Sequence, residues 1–296
     1  MKKKTSPKSI KTVGLITKRN IKLRKGIVVD LVKFLKKHKK KVLFDNNSCK
    51  LFKCEKGQKK LSILNKVDLA IVLGGDGTIL KTARRLPKKK TLILGVNMGN
   101  LGFLSECHPD KLYECLEKTF EGNYWIDKRA LLRVTIYRHG KKIETYLTLN
   151  DAVINQGAFA RLIEMNLEVD NRKVVSIKAD GMIVATPTGS TAHSLSAGGP
   201  IVHPDIQSLT VTPICPSSLS MRAIVISDNK QLTATIKTQR RDESAIIGLT
   251  LDGQDMMVLH YGDKIKFRRS SRNIYFIRTK NIYYKILRNK LHWGEL

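Results

Sequence analysis

A glycine-rich segment, Gly74–Thr78, is the first part of the sequence whose residue types suit chemistry. It consists of Gly-Gly-Asp-Gly-Thr and lies between an apolar run, Leu69–Leu73, and a helical pattern that begins at Ile79. Glycines allow the backbone to approach a ligand closely, and the N–H groups at the start of a helix favour an anion. Thr78 is expected to cap that helix. The segment therefore predicts a phosphate-binding turn.

Asp76 is an unusual neighbour for a phosphate, because two negative charges repel each other. It becomes useful if it binds a metal or accepts a proton. Both uses fit phosphoryl transfer, in which a carboxylate orients an attacking hydroxyl. The alternative is a plain strand-to-helix turn in which Asp serves as a turn former.

A second segment, 180–204, combines hydroxyl groups with small residues and glycines. A strand predicted at Met182–Ala185 leads into Thr186–Thr191, and a short helix is predicted from Thr191. Hydroxyls and backbone N–H groups can hold phosphates or sugar hydroxyls without a fixed positive charge. An ordinary polar connector is the alternative, but it needs fewer residues than these 25.

The elements around these segments predict an α/β class followed by an all-β class. Up to Asn123, apolar strands alternate with helical patterns, which indicates a parallel sheet covered by helices. Beyond it, short strand patterns follow closely, with a turn at Asp170-Asn171. The main predictions in the first part are strands at 13–17, 69–73 and 91–96, helices at 25–37 and 79–86, and a loop at 48–62.

Length and composition fit a folded protein of one or two domains, with 296 residues of which 42% are hydrophobic. No apolar run approaches the ~20 residues of a membrane helix. The stretch Val13–Ile16 is too short for a signal-peptide core, so a cytoplasmic location is expected. The five cysteines lack a CxxC pair, and free thiols are expected rather than zinc sites or a disulfide framework.

The net charge of +30 is concentrated near the N-terminus, where residues 1–60 hold 21 Lys or Arg and three acids. This positive charge could bind nucleic acid, attract anionic small molecules, or reflect a lysine-rich solvated surface. The helix predicted at 25–37 favours the last, because its lysines fall opposite its apolar stripe. Base stacking on single strands needs interleaved aromatics, and residues 1–60 hold only Phe34, Phe44 and Phe52. No specific nucleic-acid partner is expected.

Together, the segments resemble the NAD kinase family. The resemblance spans roughly residues 13 to 293, with the matching segments in the family's order. Lipid kinases that share the GGDGT turn lack the second segment, so a small-alcohol kinase is the weaker alternative. The matching segments are Val72–Thr78, Gly95–Leu104, Leu149–Asp151, Lys178–Pro204, Val211–Ile226 and Asp252–Gln254.

The resemblance implies a Rossmann-like N-terminal α/β domain, 1–126, and a C-terminal β-sandwich domain, 127–275. A tail, 276–296, is expected to return to the first domain. The implied reaction moves the γ-phosphate of ATP, or of polyphosphate in some members, to the 2′-hydroxyl of the adenosine ribose of NAD, giving NADP. A divalent cation, Mg²⁺ or Mn²⁺, is expected with ATP, since no carboxylate cluster suggests a protein metal site. A homo-oligomer, dimer or tetramer, and no membrane partner are also expected.

The resemblance also implies roles for individual residues. Asp76 matches the base that accepts the 2′-hydroxyl proton, with Gly77 beside it. Asn150 and Asp151 match a pair that holds the adenosine part of NAD, and Gln254 closes the pocket. Further dinucleotide-binding positions are matched by Arg161, Lys178, Asp180, Thr191, Ala192, His193, Ser194, Leu195 and Ser196.

Two positions depart from the family pattern. His193 stands where Tyr is common, and Ser217 stands where His is often found. An imidazole still packs against a base but offers less area than a phenol ring. Neither residue touches the expected base, so the departures bear on affinity more than on turnover.

Overall fold

A computed structural model of the chain describes residues 10–18, 25–53, 60–86, 90–99, 102–157, 162–237, 246–281, 283–292 and 294. The chain forms two units, one of Met1–Lys128 with Ile274–Leu296 and one of Arg129–Asn273. Among the described residues, no helix has the length and apolar character needed to cross a bilayer.

The first unit is an α/β unit built on a parallel sheet. Its strands lie in the order β2, β1, β3, β4, and the end of a fifth strand, β15 (Lys264–Arg278), pairs with β4 in parallel. The elements are β1 (Thr12–Thr17), α1 (Lys25–Lys37), β2 (Lys41–Phe44), α2 (Asn46–Phe52), α3 (Lys60–Leu64), β3 (Leu69–Leu73), α4 (Asp76–Ala83), β4 (Leu92–Val96), α5 (Leu112–Phe120) and, after β15, α7 (Tyr283–Leu291).

Strands β3 and β4 occupy the middle of this sheet, which explains their apolar sequences. Every residue of both strands is buried, as expected of parallel strands covered on both faces. Their register pairs Leu73 with Val96, so both strands end at the same sheet edge. The loops after β3 and β4 therefore start side by side, and ligands bind at such carboxyl ends.

Helix α1 follows its sequence pattern. Val28, Leu31, Val32 and Leu35 are buried in the core of the first unit, whereas Lys33, Lys36 and Lys37 are exposed. Burial of each large aliphatic side chain contributes about 1.5–3 kcal/mol. The lysine face of α1 is thus a solvated surface, as predicted.

Two predictions for the first unit were wrong. The 48–62 segment is not a loop, because α2 and α3 occupy much of it. The side chain of Asp45 accepts a hydrogen bond from the Ser48 N–H at 2.8 Å and caps α2. The helix predicted at 79–86 also starts earlier than expected, since α4 begins at Asp76 and not at Ile79.

The second unit is a β unit whose strands pair antiparallel. Its central strand β9 pairs with β7, β8 and β10, and a hairpin turn at Asp170-Asn171, with both residues at positive φ, joins β8 to β9. The elements are β5 (Trp125–Arg138), β6 (Lys141–Thr148), β7 (Asp151–Gln156), β8 (Ile163–Val169), β9 (Arg172–Ala185), α6 (His193–Ser196), β10 (Ser208–Pro216), β11 (Ile224–Ser227), β12 (Leu232–Ile236), β13 (Ile247–Leu251), β14 (Asp255–Leu259) and β15 (Lys264–Arg278).

Each unit has its own core, so the predicted α/β and β classes are confirmed. The core of the second unit is made of alternate residues of its strands, such as Ile163, Met165 and Leu167 of β8. This period of two is the signature of strands with one buried face. Strand β15 begins in the second unit and ends in the first, which it reaches at Ile274.

The cysteines only partly follow expectation. Cys107, Cys115 and Cys215 are free thiols, as predicted. Cys49, in α2, is disulfide-bonded, so the prediction of a free thiol was wrong there. Spacing alone did not reveal it, since disulfide formation depends on the separation of two Cβ atoms in the folded chain.

Candidate active site

In the first unit, the glycine-rich turn joins β3 to α4. Gly75 occupies the N-cap position and Asp76 is the first helical residue. Thr78 is not the cap, contrary to prediction, because it lies within the first turn. A Cβ on Gly74 would lie 2.6 Å from the Thr78 hydroxyl oxygen, so only glycine fits there.

The Asp76 carboxylate is held by backbone N–H groups. Its Oδ2 accepts from Phe103 at 2.9 Å, and its Oδ1 accepts from Leu104 at 3.4 Å. A Cβ on Gly102 would lie 2.0 Å from Asp76 Oδ1, so a larger residue there would push the carboxylate out of this position. The loop after β4 thus forms a seat for the side chain.

Burial raises the pKa of Asp76 above its usual range. The N–H groups of Phe103 and Leu104 oppose this, as do the positive charges of Lys290 and Arg278, but burial is the larger effect. A carboxylate with a raised pKa is a stronger base while it remains ionised at neutral pH. The group is therefore suited to accept a proton from a hydroxyl.

The second unit has a cavity of about 340 Å³ that brings four of the predicted residues together. Those four are Asn150, Asp151, Ala192 and His193. Its volume lies at the small end of the range for ligand sites. The other lining residues are Val153, Asn155, Thr250, Asp252 and Gly253.

Asp252 organises one wall of this cavity. Its carboxylate accepts hydrogen bonds from the N–H groups of Leu149, Asn150 and Asp151, at 2.7 to 3.3 Å, and from the Thr148 hydroxyl. It has a positive φ of 49°, which Asp tolerates better than most residues. Asp252 belongs to the matching Asp-Gly-Gln segment, but its sequence pattern predicted no role for it.

Asp151 lies beside Asp252 in this wall and is itself buried. Burial, followed by the repulsion of the Asp252 charge, raises the pKa of Asp151 to about 7. Near neutral pH its carboxyl is thus close to half protonated. It can then act as a hydrogen-bond donor or as an acceptor.

The hydroxyls of the 186–191 loop serve the protein more than a ligand. Thr186 donates to the Leu149 carbonyl at 2.5 Å, and Ser190 donates to the Pro187 carbonyl at 2.7 Å. Both side chains are buried. A Cβ on Gly189 would lie 2.1 Å from the Asn150 carbonyl oxygen, so the loop packs directly on the cavity wall. Both hydroxyls thus donate within the protein, and the Thr186 hydroxyl ties the loop to Leu149, next to Asn150.

The other predicted residues that the structure describes in the second unit are not among those that line the cavity. Ser194 is buried and hydrogen-bonds to Thr212 at 2.9 Å, while Lys178 is exposed and lies 3.7 Å from Glu164. Asp180 accepts a hydrogen bond from Gln156 at 2.9 Å. Arg161 lies outside the described residues. The other predicted positions in the second unit are Thr191 and Leu195, which are half-buried, Ser196, which is exposed, and Gln254, which follows the cavity residue Gly253.

No group of three or more His, Cys, Asp or Glu side chains within the described ranges is arranged to hold a metal ion. Mg²⁺ commonly keeps several waters and is bound through substrate phosphates with one or two carboxylates.

Comparisons with known proteins match both units. The ATP-NAD kinase N-terminal domain matches residues 13–124, and the ATP-NAD kinase C-terminal domain matches residues 149–279. A curated NAD kinase of Geotalea daltonii is 41% identical over 271 residues, covering 91% of this chain and 94% of that protein. The chain belongs to the NAD kinase family.

Other NAD kinase family proteins agree over nearly the whole chain. The NAD kinase of Koribacter versatilis is 38% identical over 287 residues, which is 97% of this chain and 99% of that protein. An NAD kinase from Archaeoglobus fulgidus, solved in complex with ATP, superposes with a TM-score of 0.74 at 26% identity, covering 93% and 97% of the two chains. Yeast NADH kinase, complexed with NADH, shares the fold with a TM-score of 0.88 at 24% identity over 98% and 89%.

Proposed function

We propose that this protein is an NAD kinase that transfers the γ-phosphate of ATP to the 2′-hydroxyl of the adenosine ribose of NAD, giving NADP and ADP. The observation that carries the proposal is the Asp76 carboxylate, placed at the start of α4 and held by the Phe103 and Leu104 N–H groups. Family membership supplies the substrates, and this carboxylate supplies a group that the reaction needs.

Asp76 is the proposed base. It orients the ribose 2′-hydroxyl and accepts its proton as that oxygen bonds to the γ-phosphorus. The bond between the γ-phosphorus and the bridging oxygen breaks, and the electron pair leaves with ADP. Because burial raises the pKa of Asp76, the carboxylate accepts the proton more readily than an exposed aspartate.

A divalent cation is proposed to enter as the metal–ATP complex, so it counts as part of the substrate. Bound to the phosphates, it would neutralise the charge that develops during transfer. The chain itself would bind the phosphates through backbone groups of the 74–78 turn. This agrees with the lack of a Walker P-loop lysine in the sequence.

The cavity of the second unit is the proposed site for the adenosine part of NAD. Asn150 and Asp151 are the polar groups best placed to recognise it, and His193 offers a ring for packing against a base. Further contacts from the other predicted positions, including Arg161, Lys178, Asp180 and Gln254, remain proposals that rest on the family pattern.

One assay tests the function. Purified protein is incubated with NAD, ATP and Mg²⁺, and NADP is measured with an NADP-specific dehydrogenase. We expect NADP to form and the signal to disappear when EDTA removes the metal. Parallel reactions with polyphosphate, and with NADH in place of NAD, define the donor and acceptor. Phosphorylation of a diacylglycerol without NADP formation would contradict the proposal.

The proposed assembly is a homo-oligomer, a dimer or a tetramer. This proposal rests on the family resemblance alone. Light scattering coupled to size-exclusion chromatography, at several protein concentrations, measures the mass. A monomer of 33.4 kDa at all concentrations would contradict it.

A further inference from the structure

Arg278, the last residue of β15, is a buried cation that the proposed chemistry does not use. Its guanidinium Nε donates to Asp127 Oδ2 at 3.0 Å, and Nη1 lies 3.5 Å from Glu106 Oε2. All three side chains are at least nine-tenths buried. Burying one cation with two carboxylates costs several kcal/mol per ion before their attraction is counted. Such a cluster is weak evidence for a purely stabilising role.

The other N–H groups of Arg278 point to the loop after β4. Nη2 donates to the Phe103 carbonyl at 3.2 Å, and Nη1 donates to the Ser105 carbonyl at 2.9 Å and the Leu104 carbonyl at 3.4 Å. Three successive carbonyls thus converge on one guanidinium. Only the planar fork of arginine presents enough donors in one rigid group to hold them.

The opposite side of the same backbone segment holds Asp76. The peptide unit between Phe103 and Leu104 receives a hydrogen bond from Arg278 at its carbonyl and donates one from its N–H to Asp76 Oδ1. Guanidinium, peptide and carboxylate therefore form a continuous chain of hydrogen bonds. Each bond in such a chain polarises the next, so the cation strengthens the N–H that faces the acid.

We propose that Arg278 is a positioning residue for phosphoryl transfer, which fixes the place of the Asp76 carboxylate through the Phe103–Ser105 segment and stabilises its ionised form. This inference rests on the proposed role of Asp76 as the base. It assigns no contact between Arg278 and the substrates.

The charges around Arg278 and Asp76 predict in which direction the pKa of Asp76 moves when Arg278 is replaced. Asp127 and Glu106 face Arg278, and Lys290 of α7 acts on Asp76 from a separate element. If Arg278 loses its hold on the loop, the N–H groups that oppose burial weaken, and the pKa of Asp76 rises further. The base is then ionised only at higher pH, so the acid limb of kcat moves up.

The test is Arg278→Lys in the full-length protein. Lysine keeps the charge opposite Asp127 and Glu106, but with three donors instead of five it cannot hold Asp127 and the three carbonyls together. We expect kcat to fall roughly 10- to 100-fold, as misplacement of a reacting group by about 1 Å can do. The KM for NAD should stay within about threefold, because ground-state binding is untouched. The acid limb of kcat should move to higher pH.

Titration of the Asp76 carboxyl by ¹³C NMR, assigned with Asp76→Asn, measures the same shift without turnover. The matched control is Arg138→Lys in the second unit, where Arg138 binds Asp263 through two hydrogen bonds of 2.9 and 2.8 Å. This change also destroys a bidentate arginine pair, but it should leave the acid limb in place. An equal move of the limb in the control would overturn the inference.

Asp127→Asn is the second variant and keeps the test decisive if Arg278→Lys does not fold. It leaves Arg278 in place and removes one neutralising carboxylate, so the acid limb should move to lower pH. An unchanged limb in a folded Asp127→Asn protein would overturn the inference, as would a wild-type kcat and limb in Arg278→Lys. The proposed function fails separately if the wild-type protein makes no NADP or if Asp76→Asn retains full activity.

Discussion

Backbone N–H groups hold a carboxylate in each unit, but the two carboxylates have different neighbours. Asp76 in the first unit accepts from two N–H groups of a loop whose carbonyls bind the cation Arg278. Asp252 in the second unit accepts from three N–H groups of the segment 149–151, which includes the buried acid Asp151. The loop that holds Asp76 thus has the positive charge of Arg278 on its other side. The segment that holds Asp252 instead carries a second acid, Asp151, so two carboxyl groups lie side by side in the second unit.

Similar arrangements of backbone N–H groups can therefore hold a carboxylate for two different roles. In the first unit the anchored carboxylate is the proposed reacting group, and the cation behind the loop favours its ionised form despite burial. In the second unit the anchored carboxylate is part of the scaffold. There, burial and the charge of Asp252 together raise the pKa of Asp151 to about 7.

Asp76→Asn should have the largest effect, if Asp76 reacts and Asp252 does not. Asn has the same size and tolerates the first turn of a helix, so the protein should fold. The amide has one acceptor oxygen, so it leaves the N–H of Phe103 or of Leu104 without its partner, at a cost of about 1–3 kcal/mol. It cannot accept the 2′-hydroxyl proton, and kcat should fall by ~10²–10⁴-fold, or about 3–5 kcal/mol of barrier. The affinity for NAD, measured by calorimetry, should stay within about tenfold.

A second possible role for Asp76 is that it only holds the metal–ATP complex. Raising Mg²⁺–ATP far above its usual KM in the Asp76→Asn variant distinguishes the two roles. A nearly normal kcat at saturation would remove Asp76 from the role of base. A variant that melts far below the wild type would instead show that the residue stabilises the turn.

Asp252→Asn should damage stability and NAD binding more than turnover. The amide presents one oxygen where the carboxylate presents two, so backbone N–H groups of the 149–151 segment lose an acceptor. Loss of a buried hydrogen bond costs about 1–3 kcal/mol, which chemical denaturation would measure. We expect a higher KM for NAD with a smaller change in kcat. Asn tolerates the left-handed backbone of Asp252, so strain is not the cause.

The raised pKa of Asp151 beside Asp252 predicts how the free energy of unfolding changes with pH. The folded pKa of Asp151, about 7, lies above that of an unfolded aspartate, ~3.9. Its proton therefore stabilises the folded state at low pH, and this stability is lost as pH rises towards 7. Asp151→Asn removes the titration.

The measurement is the unfolding free energy of both proteins at about pH 5 and about pH 8. The wild type should lose about 2–3 kcal/mol more than Asp151→Asn over this interval, because each pH unit below the folded pKa of about 7 costs about 1.4 kcal/mol. Parallel curves for the two proteins would show that Asp151 titrates near its usual value. Asp252 would then have no effect on the titration of Asp151.

His193→Tyr should have the smallest effect, because His193 lines the cavity without supporting either carboxylate. A phenol ring buries more apolar area than an imidazole, and a stacked aromatic pair adds ~0.5–1.5 kcal/mol. We expect unchanged kcat and an equal or lower KM for NAD. A KM that rises tenfold or more would show that the imidazole makes a contact that a stacking ring cannot replace.

Local sequence was sufficient to predict the strands, helices and turns whose residue pattern is visible within a few neighbouring positions. Leu69–Leu73 has the continuous apolar run of a buried parallel strand, and α1 has an apolar stripe at helical spacing. Asp170-Asn171 has the residue types that accept positive φ in a hairpin turn. The turn was predicted to bind phosphate because it places glycines between a strand and a helix, and Asp76 drew attention because an acid there suits metal binding or proton transfer. These features depend on neighbours a few residues away.

Tertiary structure decided the features whose partners lie far along the chain. Arg278 binds the Phe103 carbonyl 175 residues away, and Asp252 binds the Leu149 N–H 103 residues away. A hydrogen bond between such distant residues leaves no periodicity in the sequence. The residue types at 186–191 likewise suggested ligand contacts, but packing turned Thr186 and Ser190 towards protein carbonyls. Sequence thus determined which groups are present, and the folded chain determined which partner each group has, because only folding sets distance and burial.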